Sequence, residues 1–259
     1  MPNFYPVIDA HAGWGLLVVC VLALALRVAQ QVREPRGALA LPAAPGAAVS
    51  VVVAAAALAA FAALAQQVMA ASPPPWLTAM DGWAASHRAA IPVGAMGVLV
   101  VITQLGDVSL LSGLAALVAL ALAWRGRWAA TAWWLLAVVG NGLLVRWAKQ
   151  IFGRARPDTP YLEVHGYSFP SGHAMSAMVI YGLLCVVLWG WGRGPARTRG
   201  FDAPNPATRR LAQGLVLLIA AVGLSRVWLQ VHYASDVLAG WLLGLAWLAV
   251  LSLLARPGR

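Results

Sequence analysis

Pro170-Ser171-Gly172-His173 stands at the mouth of a long apolar run, and Ser225-Arg226, His232 and Asp236 follow later in the chain. A serine, a glycine and a histidine in the first turn of a helix put backbone N–H groups, a hydroxyl and an imidazole at the positive end of the helix dipole, where a phosphate is favoured. The same four residues also read as an ordinary helix start with Ser171 as N-cap. His232 and Asp236 are four positions apart, so on a helix they share a face. The carboxylate then accepts from one imidazole nitrogen and leaves the other free as a nucleophile.

A third group, Lys149 with Arg156-Pro157, adds cations, and Pro157 turns the chain out of helix at Arg156. Together with Arg226 these residues can bind a tetrahedral oxyanion through charge-assisted hydrogen bonds. Phosphate is the natural candidate. The chain has seventeen arginines and a single lysine, Lys149, which suggests that a compact point charge is wanted there.

The elements that must carry these residues are membrane helices. The chain has 259 residues, 61% hydrophobic and only 10% charged, whereas charged residues make up about a quarter of soluble domains. Apolar runs fall at Ala12 to Leu26, Ala47 to Ala65, Val108 to Trp124, Ala129 to Ala148, Ala174 to Gly192, Leu211 to Val231 and Val237 to Ala255. Most are long enough to span a bilayer, and Ala12 to Leu26 is marginal. Trp76 to Arg88 reads as an interfacial helix with Trp76 and Trp83 at headgroup depth, followed by an apolar piece, Pro92 to Thr103, too short to cross alone unless it runs on into Leu105. The fold class expected is therefore all-α, a polytopic helix bundle.

Twelve of the eighteen basic residues, among them Arg27, Arg33, Arg125, Arg127, Arg193 and Arg209, fall on one side if seven runs alternate, and that side is the cytoplasm. A net charge of +10 is thus explained by topology rather than by nucleic acid. Most of the other six, including Lys149, Arg154, Arg156 and Arg226, cluster near segment ends on the opposite face, where a functional reason is needed. A helix rising from Arg127 has climbed about 33 Å by Lys149 and is leaving the hydrocarbon there. Cys20 and Cys185 lie in apolar runs and read as packing residues. Met1 to Gly13 lacks the basic residues of a cleaved signal, so the first run is expected to be retained.

Lys149-x6-Arg156-Pro157, Pro170-Ser171-Gly172-His173 and Ser225-Arg226-x5-His232-x3-Asp236 resemble the three signature motifs of the type 2 phosphatidic acid phosphatases, the lipid phosphate phosphatases, with no departure at a motif position. The resemblance runs from about Ala47 to the C-terminus. It implies a six-helix phosphatase domain over 47–259, preceded by an added transmembrane helix and basic cytoplasmic loop over 1–46, with the N-terminus outside. By the same resemblance His232 attacks phosphorus to form a phosphohistidine, with Asp236 fixing its tautomer. His173 protonates the leaving oxygen and then activates water. Lys149, Arg156, Ser171, Gly172 and Arg226 hold the phosphoryl oxygens. No metal or cofactor is implied, since the eight carboxylates supply no oxygen cage.

The implied setting is a bacterial inner membrane with the site on the extracytoplasmic face, and the implied partners are a lipid phosphate and membrane lipids, with no nucleic acid and no obligate protein partner. Undecaprenyl diphosphate or a related polyprenyl diphosphate is mildly preferred, with phosphatidylglycerol phosphate, phosphatidic acid and a lipid A phosphate open. A lipid phosphotransferase using the same phosphohistidine and a non-catalytic anionic-lipid transporter are the alternatives. Arg154, Asp158 and His165 fall in the loop between the first two motifs, facing a headgroup or solvent. Arg146 is placed to snorkel, and Tyr233, Trp228, Trp147 and the other tryptophans read as interfacial anchors.

Overall fold

A computed structural model describes residues 47–191 and 206–254, so the expected helix at 12–26, with Cys20 and the loop after it, and most of the Gly194 to Thr208 connection lie outside the described residues. Every regular element among the described residues is helical: α1 (Ala47–Val68), α2 (Pro75–His87), a single 3-10 turn (Arg88–Ala90), α3 (Val93–Gln104), α4 (Val108–Trp124), α5 (Trp128–Phe152), α6 (Gly172–Trp191), α7 (Pro206–Trp228) and α8 (Ala234–Leu254). Five stretches are long and apolar enough to cross a membrane, and Gly172–Val186 is a shorter apolar helix. Large apolar side chains point outward, Val52 at 65% and Leu217 at 71% exposure, as a lipid-facing surface requires. The protein is a multi-pass membrane bundle.

The centre is α6. Ala174, Met175, Ala177, Val179, Ile180, Tyr181, Leu183 and Leu184 are all buried, and these positions run around the whole helix rather than along one stripe. Leu111 and Leu114 of α4, Trp134 and Ala137 of α5, Leu215 and Ile219 of α7 and Leu251 of α8 share one apolar core with it. Between helices in lipid the hydrophobic effect offers little, so close approach by small residues matters more. At Gly240 an added Cβ would lie 2.6 Å from the Ser171 carbonyl oxygen, so only glycine lets α8 meet the start of α6. α1 runs antiparallel to α8, with Ser252 Oγ donating to Ser50 Oγ at 2.7 Å.

Some of the tryptophans differ from the interfacial reading. Trp134 is 3% exposed and donates to the Ala115 carbonyl at 3.0 Å, while Trp247 donates to the Ala137 carbonyl at 2.9 Å. A helix carbonyl keeps a second lone pair after its ladder bond, so a buried indole can be satisfied inside the bundle.

Two further features set up the site. The stretch Val93–Trp124 is apolar enough to cross a membrane, but 32 residues of straight helix would measure about 48 Å against a hydrocarbon core of about 30 Å. It breaks instead at Leu105–Asp107, where Asp107 caps α4 by accepting from Ser109 N at 2.8 Å. The break brings Thr103 and Gly106 to the ends of α7 and α6. At the far end of α5, Gly153 adopts the left-handed conformation (φ 56°) and closes the helix on Lys149 O at 3.0 Å, releasing the chain into the loop that carries Arg154 and Arg156.

Candidate active site

The ends of α5 and α7, the starts of α6 and α8, helix α2 and the loop after Gly153 meet on one face of the bundle. Each motif residue lies there. His232 is not on a helix, as the shared-face argument assumed, but in the turn before α8. That turn is made by Gln230 at φ 54°, with the amides of Val231 and His232 both directed at the Arg226 carbonyl. Asp236 is the third residue of α8, and its carboxylate reaches back to the Tyr233 amide at 3.0 Å, as an acidic residue at that position of a helix does. The same Oδ2 faces His232 Nδ1 at 3.3 Å. The expected histidine–carboxylate pair therefore forms, by capping geometry rather than along a helix face.

His232 Nε2 is turned toward Arg156, whose Nη1 lies 3.3 Å away. Arg156 is held in place by carbonyl oxygens: Nε donates to Gly166 at 2.9 Å, Nη1 to Val231 at 2.7 Å and Nη2 to His165 at 3.2 Å. Lys149 Nζ likewise donates to the carbonyls of Tyr167 and Ser168. Arg226 is 3% exposed; its Nη1 donates to Thr103 Oγ1 at 2.8 Å, and its Nε has no partner. A buried N–H without an acceptor is costly, so an acceptor beside this one would be favoured.

His173, in the first turn of α6, faces the charges of Arg226, Arg156 and Lys149 and the ring of His232. Its ring rests on Gly106, where an added Cβ would sit 3.3 Å from His173 Cδ2 and 2.3 Å from Val222. Ser171 is fully buried; its amide donates to the Asp236 carbonyl at 2.9 Å and its Oγ lies 3.5 Å from Ala174 N, the geometry of a weak cap. Gly172 and His173 head the helix, so their amides have no intrahelical acceptor. Lys149, Arg156, Gly172, His173, Arg226, His232 and Asp236 thus gather around one region rich in positive charge, with Ser171 next to Gly172 at the helix start.

Burial pushes the His232 imidazole down to about 4, although the hydrogen bond and charge of Asp236 pull the other way. His232 is accordingly neutral at ordinary pH. Among the described residues no three His, Cys, Asp or Glu side chains converge to hold a metal ion.

The contacts of Arg154 are not visible in the sequence. Arg154, left open to headgroup or solvent, donates from Nη1 to Asp236 Oδ1 at 2.6 Å and to Ser235 Oγ at 2.8 Å, and from Nη2 to Asp81 Oδ2 at 2.8 Å. Its guanidinium lies over the Tyr233 ring, 4.1 Å from the centroid, so Tyr233 is part of the site rather than an anchor. The only early sign was a carboxylate, Asp81, on a helix otherwise suited to the bilayer surface.

A family model described as the PAP2 superfamily matches residues 130–257, which contain all three motifs. Phosphatidylglycerophosphatase B of Bacillus subtilis (strain 168) is 34% identical over 113 residues, 43% of this chain and 51% of that protein, so the chain spans about half the length of this curated relative. The crystal structure of a transmembrane PAP2-type phosphatidylglycerolphosphate phosphatase from Bacillus subtilis superposes with a TM-score of 0.64 at 24% identity, covering 76% of this chain and 93% of that one. That likeness shows the fold.

Proposed function

Since a PAP2 superfamily model matches residues 130–257, we propose that the chain is a member of that superfamily and a metal-independent lipid phosphate phosphatase working through a phosphohistidine at the extracytoplasmic face of a bacterial inner membrane. The observation that carries this reading is His232: Nδ1 is tied to Asp236, and Nε2 points at Arg156 among three cations. The Nδ1–H tautomer leaves a lone pair on Nε2, and a phosphoryl group drawn in by Arg156, Arg226 and Lys149 meets it head on. Phosphorus–Nε2 bond formation breaks the bond to the lipid oxygen, which takes a proton from His173; water, deprotonated by His173, then cleaves the phosphohistidine. Arg156, Arg226, Lys149 and the amides of Gly172 and His173 stabilise the charge on the phosphoryl oxygens in both steps. Ser171, at the start of the same helix, serves both as a weak cap and as a further phosphate ligand.

The names of the two relatives make phosphatidylglycerol phosphate the first substrate to test, ahead of the polyprenyl diphosphate preferred on sequence alone. Phosphate release by the purified protein in detergent and EDTA, from phosphatidylglycerol phosphate, phosphatidic acid and undecaprenyl diphosphate, decides it. Release from phosphatidylglycerol phosphate unchanged by EDTA is expected. No release from any of the three, or release that needs an added divalent cation, would overturn the proposal.

The pH dependence follows from His232. Its neutral form attacks, and with its pKa at about 4 His232 sets the acid limb of the kcat/KM profile, which falls with unit slope as pH drops through that value. Stability moves with it: the unfolded imidazole takes a proton near roughly 6.5, the folded one only near 4, so this contribution is complete above the first value and is lost on going down to the second. An acid limb near 6.5 would assign the nucleophile to a different, solvated histidine.

A further inference from the structure

We propose that Arg154 and Asp81 are positioning residues for the nucleophile, Arg154 fixing the Asp236 carboxylate and Asp81, from the interfacial helix α2, fixing Arg154. The inference rests on the reading of His232 as nucleophile. Asp236 must present Oδ2 to His232 Nδ1, and a carboxylate free to rotate about its last bond would not hold that aim. Oδ2 is kept by the Tyr233 amide, and the opposite oxygen, Oδ1, is kept by Arg154 at 2.6 Å. The two ends of the dyad are thus each met by an arginine of the same short segment: Arg156 at His232 Nε2 and Arg154 at Asp236 Oδ1. Two residues of extended chain span roughly 6.6 Å, so alternate side chains of this segment can reach both ends of one His–Asp pair.

Arg154 is itself held on several sides. Ser168 donates to its carbonyl from the backbone amide at 2.8 Å, Tyr233 lies against its guanidinium, and Asp81 takes its Nη2. Asp81 also accepts from the amide and the hydroxyl of Ser235, at 2.8 and 2.7 Å, and so caps α8 from outside the helix. α2 contributes its only acid to this contact while Trp76 and Trp83 stay half exposed. Among the described residues every polar contact of the Arg154 guanidinium is to Asp236, Ser235 or Asp81, so it is committed to the protein rather than to substrate.

The test pairs kinetics with a titration that does not need turnover. Arg154→Met is expected to lower kcat about 10²-fold with KM within about twofold of wild type, because the nucleophile is misaimed while the phosphate contacts remain. Arg154→Lys restores part of the loss, and Asp81→Asn, which keeps shape and loses charge, costs about tenfold. Selective carbon-13 NMR of histidine then reports the His232 titration directly. The groups facing His232 are Asp236 of α8, Arg226 of α7, Lys149 of α5, His173 of α6 and Arg156 of the loop, and none of them is altered in these variants.

With Arg154 gone, the full charge of Asp236 falls on His232, and its titration moves toward neutral pH; with Asp81→Asn it stays or moves toward acid. A role for Arg154 that does not act through Asp236 would leave the titration in place. Wild-type kcat in Arg154→Met, or a rise in KM without a change in the titration, overturns the inference. If Arg154→Met does not fold, Asp81→Asn decides: wild-type kcat there overturns it as well. Loss of the shared premise looks different: His232→Ala would retain activity, while the His232 titration would still be shifted in the single variant Arg154→Met.

Discussion

His232→Ala is expected to lower phosphate release by at least about 10³-fold and to yield no covalent phosphoenzyme, whereas His173→Ala lowers release from lipid substrates by about 10²- to 10³-fold and still forms one. The distinction comes from where each ring lies. His232 has Nδ1 on Asp236 and Nε2 aimed into the cationic space, so removing it removes the attacking atom itself. His173 sits at the head of α6, on Gly106, and among the described residues no carboxylate orients it. A group placed there serves a leaving oxygen better than it serves attack. A phosphate ester with an acidic phenol as leaving group needs little protonation, so His173→Ala should recover most of the rate of its first step on such a substrate and accumulate phosphohistidine when the second step, which still needs a base, is slow. Rapid quench under alkaline conditions, where phosphohistidine survives, measures this. Phosphoenzyme trapped in His232→Ala and absent in His173→Ala would exchange the two roles.

Much of this site is legible in the sequence because the membrane makes it so. Arg, His and Asp are expensive inside apolar runs, so their appearance at the ends of three such runs already marked Lys149, Arg156, His173, Arg226, His232 and Asp236. The helices were legible for the same reason, since only closed helical hydrogen bonding lets those runs span. Two things were not legible. The sequence pattern gives the spacing of His232 and Asp236 but not the backbone that realises it, and the left-handed Gln230 turn replaces the helix that the spacing suggested. Nor does it give pairings across the fold. Arg154 and Asp81 are 73 positions apart, and nothing local to either shows that α2 folds back onto the start of α8. Thr103 meets Arg226 across 123 positions, through a helix break whose local signs, Gly106 and Asp107, tell of a turn and not of its neighbour. Buried Trp134 went unread because indole in a membrane chain points first to the interface, and only the packing of α4 on α5 supplies the carbonyl that satisfies it.

Arg226 should show the second large effect, and its form tests how the phosphate is held. Arg226→Lys keeps a cation at the site but not the fork that lets one nitrogen bond Thr103 while another waits for substrate. Lysine must give up one of the two, and kcat/KM is expected to fall about 10²-fold, most of it in kcat if the Nε contact strengthens as charge gathers on the phosphoryl oxygens. Arg226→Met, which removes the charge too, is expected to cost about tenfold more. Thr103→Val leaves the guanidinium but frees it from α3; the cost is about tenfold, the loss of aim in one donor. The two changes act on one contact, so the double variant Arg226→Lys with Thr103→Val should be close to Arg226→Lys alone rather than the product of both losses. Steady-state kinetics on the four proteins of this cycle suffice. Multiplying losses would mean that Thr103 acts apart from Arg226, and wild-type kcat/KM in Arg226→Lys would mean that charge without the fork is all the site asks of this residue.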